Sequence, residues 1–316
     1  MDLVTFGETM LRLSPPGQER LERAASLDFR AAGAESNVAV NAGRLGLETC
    51  WLSKLPDNGL GRKVTATLRA QGTTPDVAWT DEGRQGTYYL EQAGKPRGTN
   101  VIYDRDGAAI TTATPDDLGL DRIEASRAFF TSGITPALSA TLEETTAALL
   151  EHAQDHGVTT YFDVNYRSKL WSPAEAREVL TDLFPAVDVL VVPERDADAV
   201  LDFQGDADEI AVALADEFDF ETVIVTRGAE GALAWEDGDV VEQPVFEADT
   251  YDDIGTGDAF VGGYLARRLT GDSLADSLAY GAATAALKRT IPGDTAMVTP
   301  EEVDRVLSRE GREISR

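Results

Sequence analysis

Across 316 residues the sequence has one cysteine, two histidines and five lysines. A lone cysteine forms no internal disulfide, and Cys50, inside the apolar "ETCWLSKL", reads as a reduced core thiol. His152 and His156 lie four apart on a polar helical stretch ending in "EHAQDHG". No further zinc ligands are patterned nearby, so the pair reads as a solvated helix face. No apolar run approaches the roughly 18 residues of a membrane span. The opening "MDLVTFGETMLRL" moves from an acid straight into a strand pattern and does not resemble a signal peptide. Several templates are missing as well. There is no G-x-x-x-x-G-K-[ST] of a P-loop NTPase, no G-x-G-x-x-G after the first strand and no G-x-S-x-G.

Acid is what the sequence has in abundance. Against 28 basic residues stand 56 acidic ones, a net charge of −28, spread along the chain rather than gathered in a tail. Such a surface repels nucleic acid and anionic membranes, which excludes both as partners. It also repels itself unless salt screens it, so the composition points to a cytoplasmic protein of an extreme halophile. An apolar content of 42% is ample for a large core.

Strand-like segments at 3–8, 48–55, 127–133, 159–166, 187–194 and 221–228 alternate with helical ones such as "SNVAVNAGRLG" and "TLEETTAALLEHAQ". That alternation predicts an α/β fold, a parallel sheet covered by helices on both faces, with ligands at the carboxyl ends of the strands. Residues 10–32 and 84–107 interrupt it with short polar–apolar pieces ("LDFRAAG", "GTYYLEQ", "TNVIYDR") and turns such as "AGKPRG". These predict a small antiparallel sheet, inserted in a single domain over 1–316 and covering an active site or a partner subunit.

Two glycine-bearing helix starts carry the chemistry. In "DDIGTGDAF" (252–260), Gly255 and Gly257 bracket Thr256 ahead of an apolar helical run. Two glycines cost a helix stability, which is reasonable where bare N–H groups must approach a phosphate. Asp258 beside such an anion suits the removal of a proton from an attacking hydroxyl. The plainer alternative is a glycine turn capped by Asp258. In "AAGAESNVAVNAGRLG" (31–46), Gly33 allows close backbone approach and Asn37 falls on the first helical turn. Simple capping explains that stretch equally well.

The two motifs, their separation of some 220 residues and the order of elements resemble the ribokinase-like (PfkB-type) carbohydrate kinases over essentially the full length. The resemblance implies a three-layer α/β/α sandwich with a β-sheet lid. It implies an anion hole at Gly255, Thr256 and Gly257, with Asp258 as the base. It also implies ATP and Mg²⁺ as cofactors, with a monovalent cation as a further candidate. "VTRGAEGA" (225–232), with Thr226, Gly228 and Gly231, resembles the strand and turn that contact the nucleotide, together with Gly257. "YGAATAALKR" (280–289) resembles the helix closing over adenine.

"TSGITPALS", "FDVNYRSKLWSPAEAR" and "IPGDTAM" resemble the 2-keto-3-deoxygluconate kinases of that family. In those enzymes residues matching Gly33, Tyr88, Tyr103, Arg105, Arg167, Asp258 and Asp294 bind the keto-sugar acid, and Asn37 belongs to the same set. Arg12 stands where many sugar kinases place an aspartate. Arginines from two sides, flanked by tyrosines, suit a carboxylate. The implied reaction is ATP-dependent phosphorylation of the terminal (C6) hydroxyl of 2-keto-3-deoxygluconate or its galactonate epimer, in an Entner–Doudoroff-type pathway, by a homo-oligomer joined through the lid. A fructose or fructose-phosphate kinase is the nearest rival, and a non-catalytic sugar-acid sensor a remoter one. Two departures stand out. Where the family often has N-x-x-E, "VVPERDAD" has Pro193 and Asp196, leaving Asp196 to serve magnesium through water. Asp253 replaces a usual threonine and adds negative charge that calls for a nearby cation.

Overall fold

The computed structural model describes residues 1–94 and 96–308. Lys95 of the "AGKPRG" turn and the end of the expected 1–316 domain lie outside them. The main sheet runs, edge to edge, Asp239–Gln243, Ala232–Glu236, Thr222–Thr226, Val189–Pro193, Thr159–Asp163, Ala128–Ser132, Leu3–Phe6, Thr49–Pro56 and Thr74–Thr80. All neighbours pair in parallel except Ala232–Glu236, which is antiparallel to both of its partners.

The interior strands are buried on both faces, and the period of two sends alternate residues to opposite layers. Val4, Phe6, Phe129, Phe162, Leu190, Val192 and Val223 pack with helices Ala140–Asp155, Pro173–Leu183 and Ala207–Phe218. Leu3, Phe130, Tyr161, Val189, Val191 and Ile224 pack instead with helices Ala34–Arg44, Thr256–Arg268 and Leu274–Arg289. The result is the α/β/α sandwich. Cys50 is fully buried, and burial pushes its thiol up to about 12.

Leu3–Phe6 lies between Thr49–Pro56 and Ala128–Ser132, so the chain builds to one side and then reverses. Ligand clefts of such sheets open beyond the carboxyl ends of strands at that reversal.

The smaller sheet, Asp28–Ala32, Met10–Ser14, Thr87–Glu91 and Asn100–Asp104, lies within the two interrupting segments. It is mixed rather than antiparallel. Met10–Ser14 pairs in parallel with Thr87–Glu91, with Leu11 opposite Thr87 and Leu13 opposite Tyr89. Parallel neighbours need a long crossover, and residues 33–86 of the main body supply it. Strands Thr74–Thr80, Ala232–Glu236 and Asp239–Gln243 were not expected. Thr74–Thr80 and Asp239–Gln243 are the edges and Ala232–Glu236 lies next to one of them; their burial is mixed, which weakens their sequence pattern.

Candidate active site

Loops after the strands Leu3–Phe6, Ala128–Ser132, Thr159–Asp163, Val189–Pro193 and Thr222–Thr226 line a cleft of about 690 Å³. Met10, Ala32, Tyr88, Leu90, Val101 and Tyr103 of the small sheet cover it. Strand register explains this face: Arg12, Arg30, Tyr88 and Tyr103 form one cross-strand row, and their neighbours in the row Leu13, Phe29, Tyr89 and Ile102 point the other way.

Helix Thr256–Arg268 begins at this cleft. Gly255 caps it at φ +76°, and a Cβ there would lie 2.0 Å from the Asp294 carbonyl oxygen, so backbone approach excludes any side chain. A Cβ on Gly257 would meet nothing within 4 Å; its space opens into the cleft. First-turn N–H groups lack partners inside their own helix, and the helix dipole adds positive potential. An anion fits there.

Asp258 follows on the same turn, and its Oδ2 accepts a hydrogen bond of 2.7 Å from Asn37 Nδ2. Burial pushes its carboxyl up to about 6, opposed by the Asn37 hydrogen bond and by Arg167. Asp163 is pushed up to about 7 by burial and by repulsion from Asp258. Glu35 is also raised to about 7 by burial, although the Ser132 and Thr135 hydroxyls donate to it at 2.6 and 2.9 Å.

The arginines divide into different roles. Arg12 does not line the cleft. It is buried, donates to Asp294 Oδ2 at 2.9 Å and lies 3.7 Å from Asp252. A buried guanidinium needs a carboxylate, and Arg12 has found its own inside the protein. Tyr88 OH donates to the other Asp294 oxygen at 3.2 Å. Arg105 lines the cleft and is ion-paired to Glu8. Its guanidinium and the Lys169 ammonium also lie over the Tyr103 ring, at 5.5 and 5.6 Å. Arg167 is exposed in the cleft, donates only to the Asn165 and Tyr166 carbonyls, and makes no ion pair among the described residues.

Gly33 caps helix Ala34–Arg44 in extended backbone, and a Cβ there would lie 2.1 Å from the Glu8 carbonyl oxygen. Glu8, which the sequence reading missed, lines the cleft directly after the first strand, the place that reading gave to Arg12. Glu35 and Asp163 were missed too. The first hides in a helix turn and the second in the quoted "FDVNYR".

Asp196 is buried and lines the cleft. Its Oδ1 lies 3.4 Å from Arg195 Nε, while its Oδ2 has no hydrogen-bond partner among the described residues. Asp253, by contrast, is exposed. The buried acid of that loop is Asp252, which accepts from the Ile254 and Gly293 N–H groups at 3.1 and 2.9 Å. Beneath it, the fully buried Lys288 ammonium donates to the Asp252 and Ile291 carbonyls at 3.2 and 3.1 Å.

A profile of the pfkB family carbohydrate kinases matches residues 1–301. The chain belongs to that family. A 2-dehydro-3-deoxygalactonokinase of Haloferax volcanii is 64% identical over 306 residues, covering 97% of this chain and 96% of that protein. A 2-dehydro-3-deoxygluconokinase of Bacillus subtilis is 30% identical, covering 98% and 96%. Among solved structures, that of a 2-dehydro-3-deoxygluconokinase from Thermotoga maritima matches with a TM-score of 0.92 at 34% identity, covering 98% of each chain.

Within this pfkB-family kinase, Thr226 and Gly228 line the cleft, and a Cβ on Gly228 would meet nothing. Gly231 is not in the lining. Its φ of +101° and the Gln243 carbonyl oxygen, 2.1 Å from a Cβ, make it a glycine of the strand turn. Residues 280–289 do not line the cleft either. Their helix packs against Thr256–Arg268 through Gly263 and Gly281, where a Cβ would meet Thr284 Oγ1 at 2.5 Å and the Phe260 carbonyl at 2.7 Å.

Proposed function

We propose that this kinase transfers the γ-phosphoryl group of ATP to the terminal hydroxyl of 2-keto-3-deoxygluconate or its galactonate epimer. The observation that carries the reading is one cleft holding Asp258, the open glycine helix start and an Arg167 that makes no ion pair among the described residues. The names of the relatives above support the substrate class, and the Haloferax protein favours the galactonate epimer.

In this reading Asp258 accepts the hydroxyl proton as the oxygen attacks, and Asn37 holds the carboxylate in place. The N–H groups at Gly255–Gly257 receive charge developing on the phosphoryl oxygens. Arg167 binds the substrate carboxylate through paired charged hydrogen bonds. Arg105 brings Glu8 with it, so its contribution is orientation more than charge. The small sheet excludes water from the transferring group. Thr226, Gly228 and the open Gly257 position form the nucleotide side. Asp196, with an unmet carboxylate oxygen, is the group suited to hold Mg²⁺ directly or through water, and the ion would neutralise phosphate charge. Lys288 supplies, under the anion loop, the positive charge for which a monovalent cation was a candidate.

The outer row Leu13, Phe29, Tyr89 and Ile102, with Phe29 and Ile102 36% and 51% exposed, supports a homo-oligomer joined through the lid. No helix of the described residues is long and apolar enough to cross a membrane. We place the enzyme in the cytoplasm, where Cys50 stays a thiol.

Product identification tests the assignment. With ATP and either keto-sugar acid, ³¹P NMR should show a primary phosphate monoester on the terminal carbon. An ester elsewhere, or none with either acid, would overturn it.

A further inference from the structure

The two histidines of the chain were read above as a solvated helix face, and the structure adds what that reading lacked. His152 lies in helix Ala140–Asp155 and His156 caps its end. Glu124, the last residue of helix Leu120–Glu124, comes up against both. Its Oε1 lies 3.2 Å from His152 Nε2 and 3.9 Å from His156 Nε2. The three ligand atoms all fall within 4.8 Å of one another, and the imidazole centroids are 4.3 Å apart.

We propose that Glu124, His152 and His156 form a binding site for a borderline divalent transition-metal ion, Zn²⁺ being the best fit. Zinc bonds of roughly 2.0–2.2 Å in tetrahedral array put neighbouring ligand atoms about 3.3–3.6 Å apart, between the 3.2 and 3.9 Å from Glu124 Oε1 to the two Nε2 atoms. The tautomer is suitable as well. His156 Nδ1 lies 2.8 Å from the His152 carbonyl oxygen, an acceptor only, so Nδ1 carries the proton and Nε2 keeps its lone pair. His152 Nε2 is shielded from solvent and makes no hydrogen bond among the described residues despite the nearby carboxylate, whose position is wrong for one. A metal between the three would satisfy that nitrogen, and water would complete the tetrahedron.

The chemistry separates this site from the kinase cleft. Imidazole nitrogen discriminates against Mg²⁺, which requires oxygen ligands. Position separates it too. Glu124 leads into the amino end of strand Ala128–Ser132 and His156 into that of Thr159–Asp163, whereas the cleft lies at the carboxyl ends. A bound ion would tie the short helix Leu120–Glu124 to helix Ala140–Asp155, so its effect would be on stability.

The test is Zn²⁺ titration of the metal-stripped full chain in molar KCl, with calorimetry and thermal unfolding as readouts. The expected result is one saturable Zn²⁺ per chain, undisturbed by millimolar Mg²⁺, with a rise in unfolding midpoint. His152→Gln, His156→Gln and Glu124→Gln should each weaken binding by at least about 10–100-fold, the loss that removing a partner behind a ligand already brings, and abolish the midpoint rise. Absence of saturable binding would overturn the proposal. So would binding that persists unchanged in the two histidine variants, since the ion would then be held by surface carboxylates.

Discussion

Asn37 Nδ2 and Asp258 Oδ2, 221 residues apart in sequence, lie 2.7 Å from each other at the floor of the cleft. The bond holds a carboxylate that burial pushes up to about 6, and it favours the charged form. A base must be unprotonated to act, so kcat should rise with pH through about 6 and then level. In Asn37→Ala the charged form loses its donor, and this acid limb should move to higher pH. A pH–rate profile of both proteins checks this. An unmoved limb would mean that Asn37 does not act through Asp258.

The glycines of the anion loop should separate fold from turnover. Gly255→Ala places a methyl against the Asp294 carbonyl at positive φ and should destabilise the protein by more than about 1 kcal/mol. Gly257→Ala meets no protein atom and should leave stability unchanged or raise it by up to about 1 kcal/mol. Its methyl nevertheless fills the space proposed for the phosphoryl group, so turnover should collapse. Full activity in Gly257→Ala would move the phosphate elsewhere.

The arginines should separate in the opposite way. Arg105→Ala strips the partner from buried Glu8, a loss of about 3–5 kcal/mol for a broken buried pair. Burial already raises the Glu8 carboxyl against the opposing charge of Arg105. Without Arg105 it will take up a proton as pH falls, so the destabilisation should shrink in acid. Arg167→Ala, exposed and without an ion pair among the described residues, should change stability by no more than about 0.5 kcal/mol. Thermal unfolding at neutral and acidic pH measures both.

These differences show what the sequence could and could not carry. The parallel sheet was legible because apolar-rich strand segments alternate with helical patterns along the chain. The helix start at Gly255–Asp258 was legible because two glycines there signal a backbone requirement, which the structure shows for Gly255 against the Asp294 carbonyl. Arginine roles were not, since a role depends on the partner. Arg12 meets Asp294 across 282 residues, and Arg105 meets Glu8 only once the small sheet docks on the body. The third residue beside the two histidines was hidden for the same reason. The parallel pairing inside the small sheet needed the topology of the whole chain.

Salt dependence should follow the charge of −28. Lowering KCl from molar to about 0.1 M lengthens the screening distance from about 3 to about 10 Å and should lower the unfolding midpoint. Turnover at molar salt should be similar in KCl and NaCl, because Lys288 already places an ammonium under the anion loop. A midpoint insensitive to KCl would contradict the charge argument, and a strict K⁺ requirement the role of Lys288.

The central claim is that the cleft selects a sugar acid through the Arg167 guanidinium, which makes no ion pair among the described residues. It is tested most directly by kcat/KM for 2-keto-3-deoxygalactonate, 2-keto-3-deoxygluconate and fructose in the parent and in Arg167→Ala, measured as ADP release in molar KCl. The account predicts that the parent strongly prefers the acids. The variant should lose roughly 10–150-fold on them, the value of about 1.5–3 kcal/mol for a hydrogen bond to a charged group, with activity on fructose unchanged. A parent that prefers fructose, or a variant whose activities on acid and ketose fall together, would contradict it.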